Sequence, residues 1–153
     1  MSDIPVHIRE QFGYCFEDIE LGMSASFGKT ITEADITMFA GVSGDTCPIH
    51  LNEDFAKHTR FKTRIAHGFI SASLLSTLVG CRLPGPGALY VNQQMNFRKP
   101  VFLGDTVNAR VVVRKLIPER NFVELETTCE VSGKIVIDGF ATTWVPSREH
   151  EWR

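Results

Sequence analysis

Hydrophobic spacing divides the chain into a helical first half and a stranded second half. After Pro84-Gly-Pro-Gly87, apolar residues recur at every second position. Leu89, Val91, Gln93, Met95 and Phe97 share one face of a predicted strand, and Val107, Ala109, Val111 and Val113 share one face of the next. Val123, Leu125, Thr127, Cys129 and Val131 alternate with Glu124, Glu126 and Glu130, the pattern of a strand with one wet face. Ile135, Ile137, Gly139, Ala141 and Thr143 predict a last strand, and the breaks at Pro118–Asn121 and Ser132–Lys134 are of hairpin length. Ahead of these strands, Phe69 to Leu83 is the longest helical candidate. It lacks a charged face until Arg82, which predicts a helix buried nearly all round.

Further upstream, Ser24 to Ile31 reads as a first strand. Thr32-Glu-Ala-Asp35 has capping-box spacing, with the Thr32 hydroxyl accepting from the Asp35 amide and the Asp35 carboxylate reaching back. The short helix it starts puts Ile36, Phe39 and Ala40 on one side. Ser43-Gly-Asp-Thr-Cys-Pro-Ile-His50 is punctuated by Gly44 and Pro48 and is expected to be a loop or turn. Asn52 caps another short helix through Lys57. Residues 1–15 are weakly periodic and read as an extended arm, residues 16–147 as the domain, and residues 148–153 as a tail. One apolar helix with four antiparallel strands after it and one before it leaves an economical packing, an α+β hotdog fold in which the sheet curls around the helix. Pairing the exposed sheet edges across two chains makes a homodimer the default expectation.

Composition narrows the partners. A chain of 153 residues with 43% hydrophobic content fits one compact domain. Its formal charge of -2 supplies no basic field for nucleic acid, and no stretch is long and apolar enough for a membrane span. Cys15, Cys47, Cys81 and Cys129 lie far apart without zinc-ligand spacing, so free thiols in the cytoplasm or another reducing intracellular compartment are expected. The first residues lack the apolar core of a secretion signal.

Candidate chemistry gathers in two places. Asp45 and His50 sit five residues apart around Pro48, so a turn can aim a carboxylate and an imidazole at one water, as general acid/base work requires. The competing reading is an ordinary turn aspartate and a satisfied histidine. His67-Gly68 precedes the apolar helix, whose unpaired N-terminal amides and dipole favour a developing oxyanion. Gly68 equally suits a tight entry into that helix, and His67, which could be a core histidine, is given no catalytic role. Ser71, Ser73 and Ser76 are either a polar lining or serines bonded back to the preceding turn. No nucleophile elbow, P-loop, dinucleotide fingerprint or HExxH motif occurs.

Three motifs occur in one order: Phe39-Ala-Gly-Val-Ser-Gly-Asp-Thr-Cys-Pro-Ile-His-Leu51, Arg64-Ile-Ala-His-Gly68 and Phe97-Arg-Lys-Pro-Val-Phe-Leu-Gly-Asp105, with Leu83-Pro-Gly-Pro-Gly87 between the second and third. Together they resemble the MaoC-like hydratases, in particular the single-domain (R)-specific enoyl-CoA hydratases. The resemblance implies reversible hydration of a trans-2-enoyl-CoA, of short to medium chain, without metal or redox cofactor. It gives Asp45 and His50 the acid/base roles and the Gly68 amide the thioester oxygen. By position it also implies that Ser76 sits beside the reactive pair, that Val79 and Thr143 line the acyl pocket, and that Phe97 contacts the ligand. The chain departs from the family in carrying Cys47 where Asn is usual. Two alternatives share the motifs: an acyl-carrier-protein dehydratase, with Arg98, Lys99, Arg114 and Lys115 as a candidate carrier patch, and a non-catalytic hotdog module that binds acyl thioesters.

Overall fold

The computed structural model describes residues 4–148; the first three residues and positions 149–153 of the expected tail lie outside the described residues. Its elements are α1 (Val6–Arg9), β1 (Ser24–Thr30), α2 (Glu33–Ser43), α3 (Pro48–Leu51), α4 (Glu53–Ala56), α5 (Gly68–Cys81), β2 (Leu89–Phe97), β3 (Thr106–Ile117), β4 (Phe122–Val131) and β5 (Lys134–Trp144). The strands form one antiparallel sheet in the order β1-β3-β4-β5-β2, and α5 packs against it as the hotdog reading requires. Leu74, Leu75 and Leu78 of α5 meet Val107, Ala109, Val111, Val123, Leu125 and Ala141, so the alternation in β3 and β4 translates directly into a core. Ser132 and Gly133 both have positive φ, the backbone that a two-residue hairpin between twisted strands demands.

The ladders slip at three places, one of them between Val113 and Lys115 of β3, and the other two move residues off the face that strict alternation implies. The register of β2 slips between Tyr90 and Asn92, so Tyr90 stands opposite the fully buried Thr143 and joins Gln93, Met95 and Phe97 on the helix-facing side. Leu89 and Val91, expected on that side, are about half exposed. In β5 the slip between Cys129 and Glu130 buries Val136 and Ile137 together and leaves Ile135 exposed. Burial and the nearby Cys129 push the Tyr90 phenol up to about 12, so it stays protonated and donates to Gln93 Oε1 at 2.9 Å.

Four further expectations change. The segment before Phe16 is not simply extended: it contains α1, and its Gly13 and Tyr14 amides donate to the Pro86 and Pro84 carbonyls at 2.7 and 2.9 Å. A side chain on Gly13 would collide with the Pro84 carbonyl, so glycine permits this docking. Arg148, assigned to the tail, is paired with Asp18. Helix α5 is not buried all round, since Phe69, Ser73, Ser76 and Gly80 form an exposed stripe on the isolated chain. The expected Ser43–His50 loop is shorter, because Pro48 starts α3 at a position where its missing N–H costs nothing. Among the described residues no helix is long and apolar enough to cross a membrane.

Candidate active site

The site begins at the end of α2. The capping box forms as expected: the Asp35 amide donates to the Thr32 hydroxyl, and the Asp35 carboxylate accepts from the Thr32 amide at 2.8 Å. Gly44 ends α2 in the left-handed conformation at φ 76°, its amide donating to the Ala40 carbonyl at 2.9 Å, and the chain turns out. Asp45 then folds over its own turn, with Oδ1 accepting from the Cys47 amide at 3.1 Å. One turn later α3 carries His50. Arg64 ties these short elements together through its guanidinium contacts with Glu33 and Glu53 and a hydrogen bond to the His50 carbonyl at 3.4 Å.

Two main-chain carbonyls fix the histidines. His50 Nδ1 lies 2.8 Å from the Ile65 carbonyl, which can only accept, so Nδ1 carries the proton and Nε2 presents a lone pair. His67 Nε2 lies 2.9 Å from the Asp45 carbonyl and must donate there, which leaves Nδ1 buried without a protein partner. The two rings stack with centroids 3.9 Å apart and planes 30° apart, and Phe39 packs against His67 at 4.9 Å. Donor atoms of Asp45, His50 and His67 all lie within 4.8 Å of one another. Such a set is of the type that a transition metal accepts.

Beside His50 opens a cleft of about 360 Å³ that reaches the N-terminus of α5. Its exposed rim carries Arg60, Arg98 and Lys99, and its inner end is formed by Ser71 and Ile137, which are 0% and 1% exposed. Gly68 is the first residue of α5, so its amide has no acceptor within the helix. The open side of this glycine is filled by a ring: a Cβ at position 68 would lie 2.7 Å from Phe97 Cε1. Glycine is therefore needed for Phe97 to close on the helix start.

Expected site residues divide accordingly. His50, Gly68 and Phe97 line one cleft, and Asp45 stands next to His50 on the exposed loop. Ser76 is not beside this group. It lies two turns along α5, about 12 Å by helical rise, on the exposed stripe. Val79 and Thr143 are core residues, 1% and 0% exposed, with the Thr143 hydroxyl donating to the Val123 carbonyl at 3.4 Å; neither lines the cleft. Sequence reasoning missed His67 as an orienting group, and it missed Arg60 and Ile137 in the walls. Ser71 alone bore a readable signal, a hydroxyl on an apolar helix.

An antiparallel sheet around one helix, with a carboxylate and an imidazole beside a free helix-start amide, defines a hotdog protein equipped for acid/base chemistry on a thioester. The MaoC like domain model matches residues 18–135, and the chain belongs to that family. It is 59% identical over 133 residues to an (R)-specific enoyl-CoA hydratase from Rhodospirillum rubrum, covering 87% of this chain and 92% of that protein. Identity is 49% to a 3-hydroxybutyryl-CoA dehydratase from Methylorubrum extorquens, over 88% of this chain and 85% of the other. Among solved structures, the unliganded (R)-hydratase from Pseudomonas aeruginosa superposes with a TM-score of 0.83 at 38% identity, covering 88% of this chain and 86% of that one.

Proposed function

We propose that the chain is a hydro-lyase that adds water to trans-2-enoyl-CoA to give (R)-3-hydroxyacyl-CoA, and runs the reverse dehydration. The observation that carries this is the convergence of Asp45 and His50 beside the cleft that ends at the Gly68 amide. Asp45 holds one O–H of a water while the free Nε2 of His50 takes the other proton, and the water oxygen bonds to C3 of the enoyl group. The electron pair of the C2–C3 double bond moves toward the thioester oxygen, where the Gly68 amide and the dipole of α5 stabilise the enolate. Return of that proton to C2 from the same side completes a syn addition, and the balance needs no metal or redox group.

Carrier preference follows from the rim. Of the four cations expected to form a carrier patch, Arg98 pairs with Asp138, Arg114 with Glu126 and Lys115 with Glu124. Lys99 and Arg60 have no ion-pair partner among the described residues, and Arg60 is held over the Phe61 ring at 4.7 Å. Two unpaired cations at the mouth suit the compact phosphates of CoA. The dimer reading rests on the unpaired β2 edge, with Leu89, Val91 and Phe97 about half exposed next to Phe69 at 61%. Four free thiols accord with a reducing compartment.

The decisive experiment follows loss of enoyl absorbance with crotonyl-CoA, together with chiral analysis of the product. Asp45→Asn and His50→Gln should each lower turnover at least about a hundredfold. Full rate in either variant removes that residue from the mechanism, and an unchanged acyl-CoA that binds tightly establishes a binding module instead.

A further inference from the structure

Residues 64–68 form a strut that touches each part of the site. The Arg64 guanidinium meets Glu33, Glu53 and the His50 carbonyl, the Ile65 carbonyl accepts from His50 Nδ1, His67 donates to the Asp45 carbonyl, and Gly68 opens α5. The strut is anchored in the body of the fold, since the Ala66 amide donates to the Val101 carbonyl at 2.7 Å and Ile65 bridges to Phe102. What it holds is far less secure. Helix α3 is a single turn of four residues, and an isolated turn of helix is not stable by itself.

Among the described residues three hydrogen bonds join α3 to the strut: His50 Nδ1 to the Ile65 carbonyl at 2.8 Å, the Ile65 amide to the Ile49 carbonyl at 3.3 Å, and Arg64 Nη1 to the His50 carbonyl at 3.4 Å. The first uses the base itself and the second runs from main chain to main chain. Arg64 therefore makes the one link that a side-chain replacement removes while the reacting groups stay intact. Its geometry suits a clamp. Glu33 holds the guanidinium by two parallel bonds of 3.0 and 2.7 Å, and Glu53 lies 3.6 Å from Nε while accepting from the Arg64 amide at 3.2 Å. The Arg64 side chain is 19% exposed and each carboxylate 55%, so these pairs contribute little to stability. What a planar fork supplies is direction. Glu33 opens α2 and Glu53 opens α4, so one group sets α2, α3 and α4 against one another.

We infer that Arg64 is a positioning residue for the base, its guanidinium, forked between Glu33 and Glu53, clamping the His50 carbonyl so that the imidazole keeps its bearing on the cleft. The inference rests on the hydratase reading above and deepens it, for the resemblance gives Gly68 a role in this segment and Arg64 none. Without the fork, α3 drifts about its main-chain bond to Ile65, and a misplacement of about 1 Å can cost about a hundredfold. The cleft walls and the rim cations are not among the groups that Arg64 holds, so substrate binding stays near that of the parent.

The test measures kcat and KM for crotonyl-CoA, with thermal unfolding of the same preparations, in the parent, Arg64→Ala, Arg64→Lys and a double Glu33→Gln, Glu53→Gln variant. In Arg64→Ala, kcat per folded molecule should fall at least about tenfold with KM within about threefold. Arg64→Lys should recover little of this, because an ammonium presents no fork. Millimolar guanidinium should raise the rate of Arg64→Ala at least about threefold by refilling the place between the carboxylates, and methylammonium should not. An arginine that only supports the fold would lower the folded fraction and leave kcat per folded molecule unchanged. A kcat within about threefold of the parent therefore overturns the inference, as does full recovery by lysine or the absence of guanidinium rescue. Should Arg64→Ala fail to fold, the double variant decides, since it removes the anchors and keeps Arg64: a fall in kcat of at least about threefold at unchanged KM supports the clamp, and an unchanged kcat overturns it. A parent inactive on crotonyl-CoA overturns the hydratase reading itself and takes this inference with it, whereas an active parent with an indifferent Arg64 refutes only the clamp.

Discussion

Gly68→Ala isolates the site's geometry from its stability. The added Cβ would lie 2.7 Å from Phe97 Cε1 and 2.8 Å from Cδ1, whereas carbon atoms rest comfortably at about 3.5–4.0 Å. The ring must therefore move by about 1 Å. Overpacking a well-filled core costs about 1–3 kcal/mol. Phe97 is 50% exposed and can swing outward, which puts the cost at the low end. The helix preference of alanine over glycine, up to about 1 kcal/mol, offsets most of it. Net stability should change by less than about 1 kcal/mol, and Tm by less than about 4 °C.

Turnover should respond very differently. Phe97 is a wall of the cleft, and in the proposed mechanism the Gly68 amide takes the thioester oxygen, so a displacement of about 1 Å there should cost about a hundredfold in kcat/KM, or about 2.7 kcal/mol. The assay is initial-rate hydration of crotonyl-CoA alongside thermal unfolding of the same preparation. Adding Phe97→Leu to Gly68→Ala should recover at least about tenfold, since the smaller side chain clears the new Cβ and the two changes are coupled through contact. A Gly68→Ala enzyme within about threefold of the parent would refute the reasoning, as would a loss of activity matched by loss of the fold.

Replacing Arg60 and Lys99 together by Gln should lower the kcat/KM ratio of crotonyl-CoA over crotonyl-pantetheine by about tenfold, the scale of one or two charge-assisted phosphate contacts; an equal effect on both substrates would place these cations elsewhere. Asp35→Asn should destabilise the protein by about 1 kcal/mol at neutral pH, the usual worth of a helix cap. Burial pushes the Asp35 carboxyl up, but the Thr32 amide and hydroxyl and Lys29 outweigh it and hold it below its ordinary value. Its stabilisation is thus present above the usual carboxylate range and lost as pH falls through the depressed value, so urea unfolding at about pH 3 should show the gap closing. His67→Phe keeps a ring against His50 but removes the donor to the Asp45 carbonyl, and should lower kcat about tenfold with little change in KM; an unchanged kcat would reduce His67 to packing.

The fold was legible where one face of a strand is buried without interruption. Val107, Ala109, Val111 and Val113 all fall at 0–1% exposure because β3 holds a strict alternation along that stretch. Legibility failed at the bulges, since one extra residue reverses the phase without any change in composition. Tyr90 and Val136 were misassigned to the outer face for that reason, and Ile135 to the inner one. Pro48 was read as turn punctuation when it starts a helix, as the same residue serves either purpose.

The active site shows a different limit. Asp45, His50 and Gly68 were singled out because their residue types advertise chemistry, yet what fixes the His50 tautomer is the carbonyl of Ile65, and what holds the Asp45 turn is a histidine 22 residues away. Every residue has a carbonyl, so such a partner leaves no mark on the sequence. Main-chain orientation also has a mechanical consequence. Carbonyls cannot donate, so in its neutral form each imidazole commits one N–H to the main chain and leaves the other nitrogen bare.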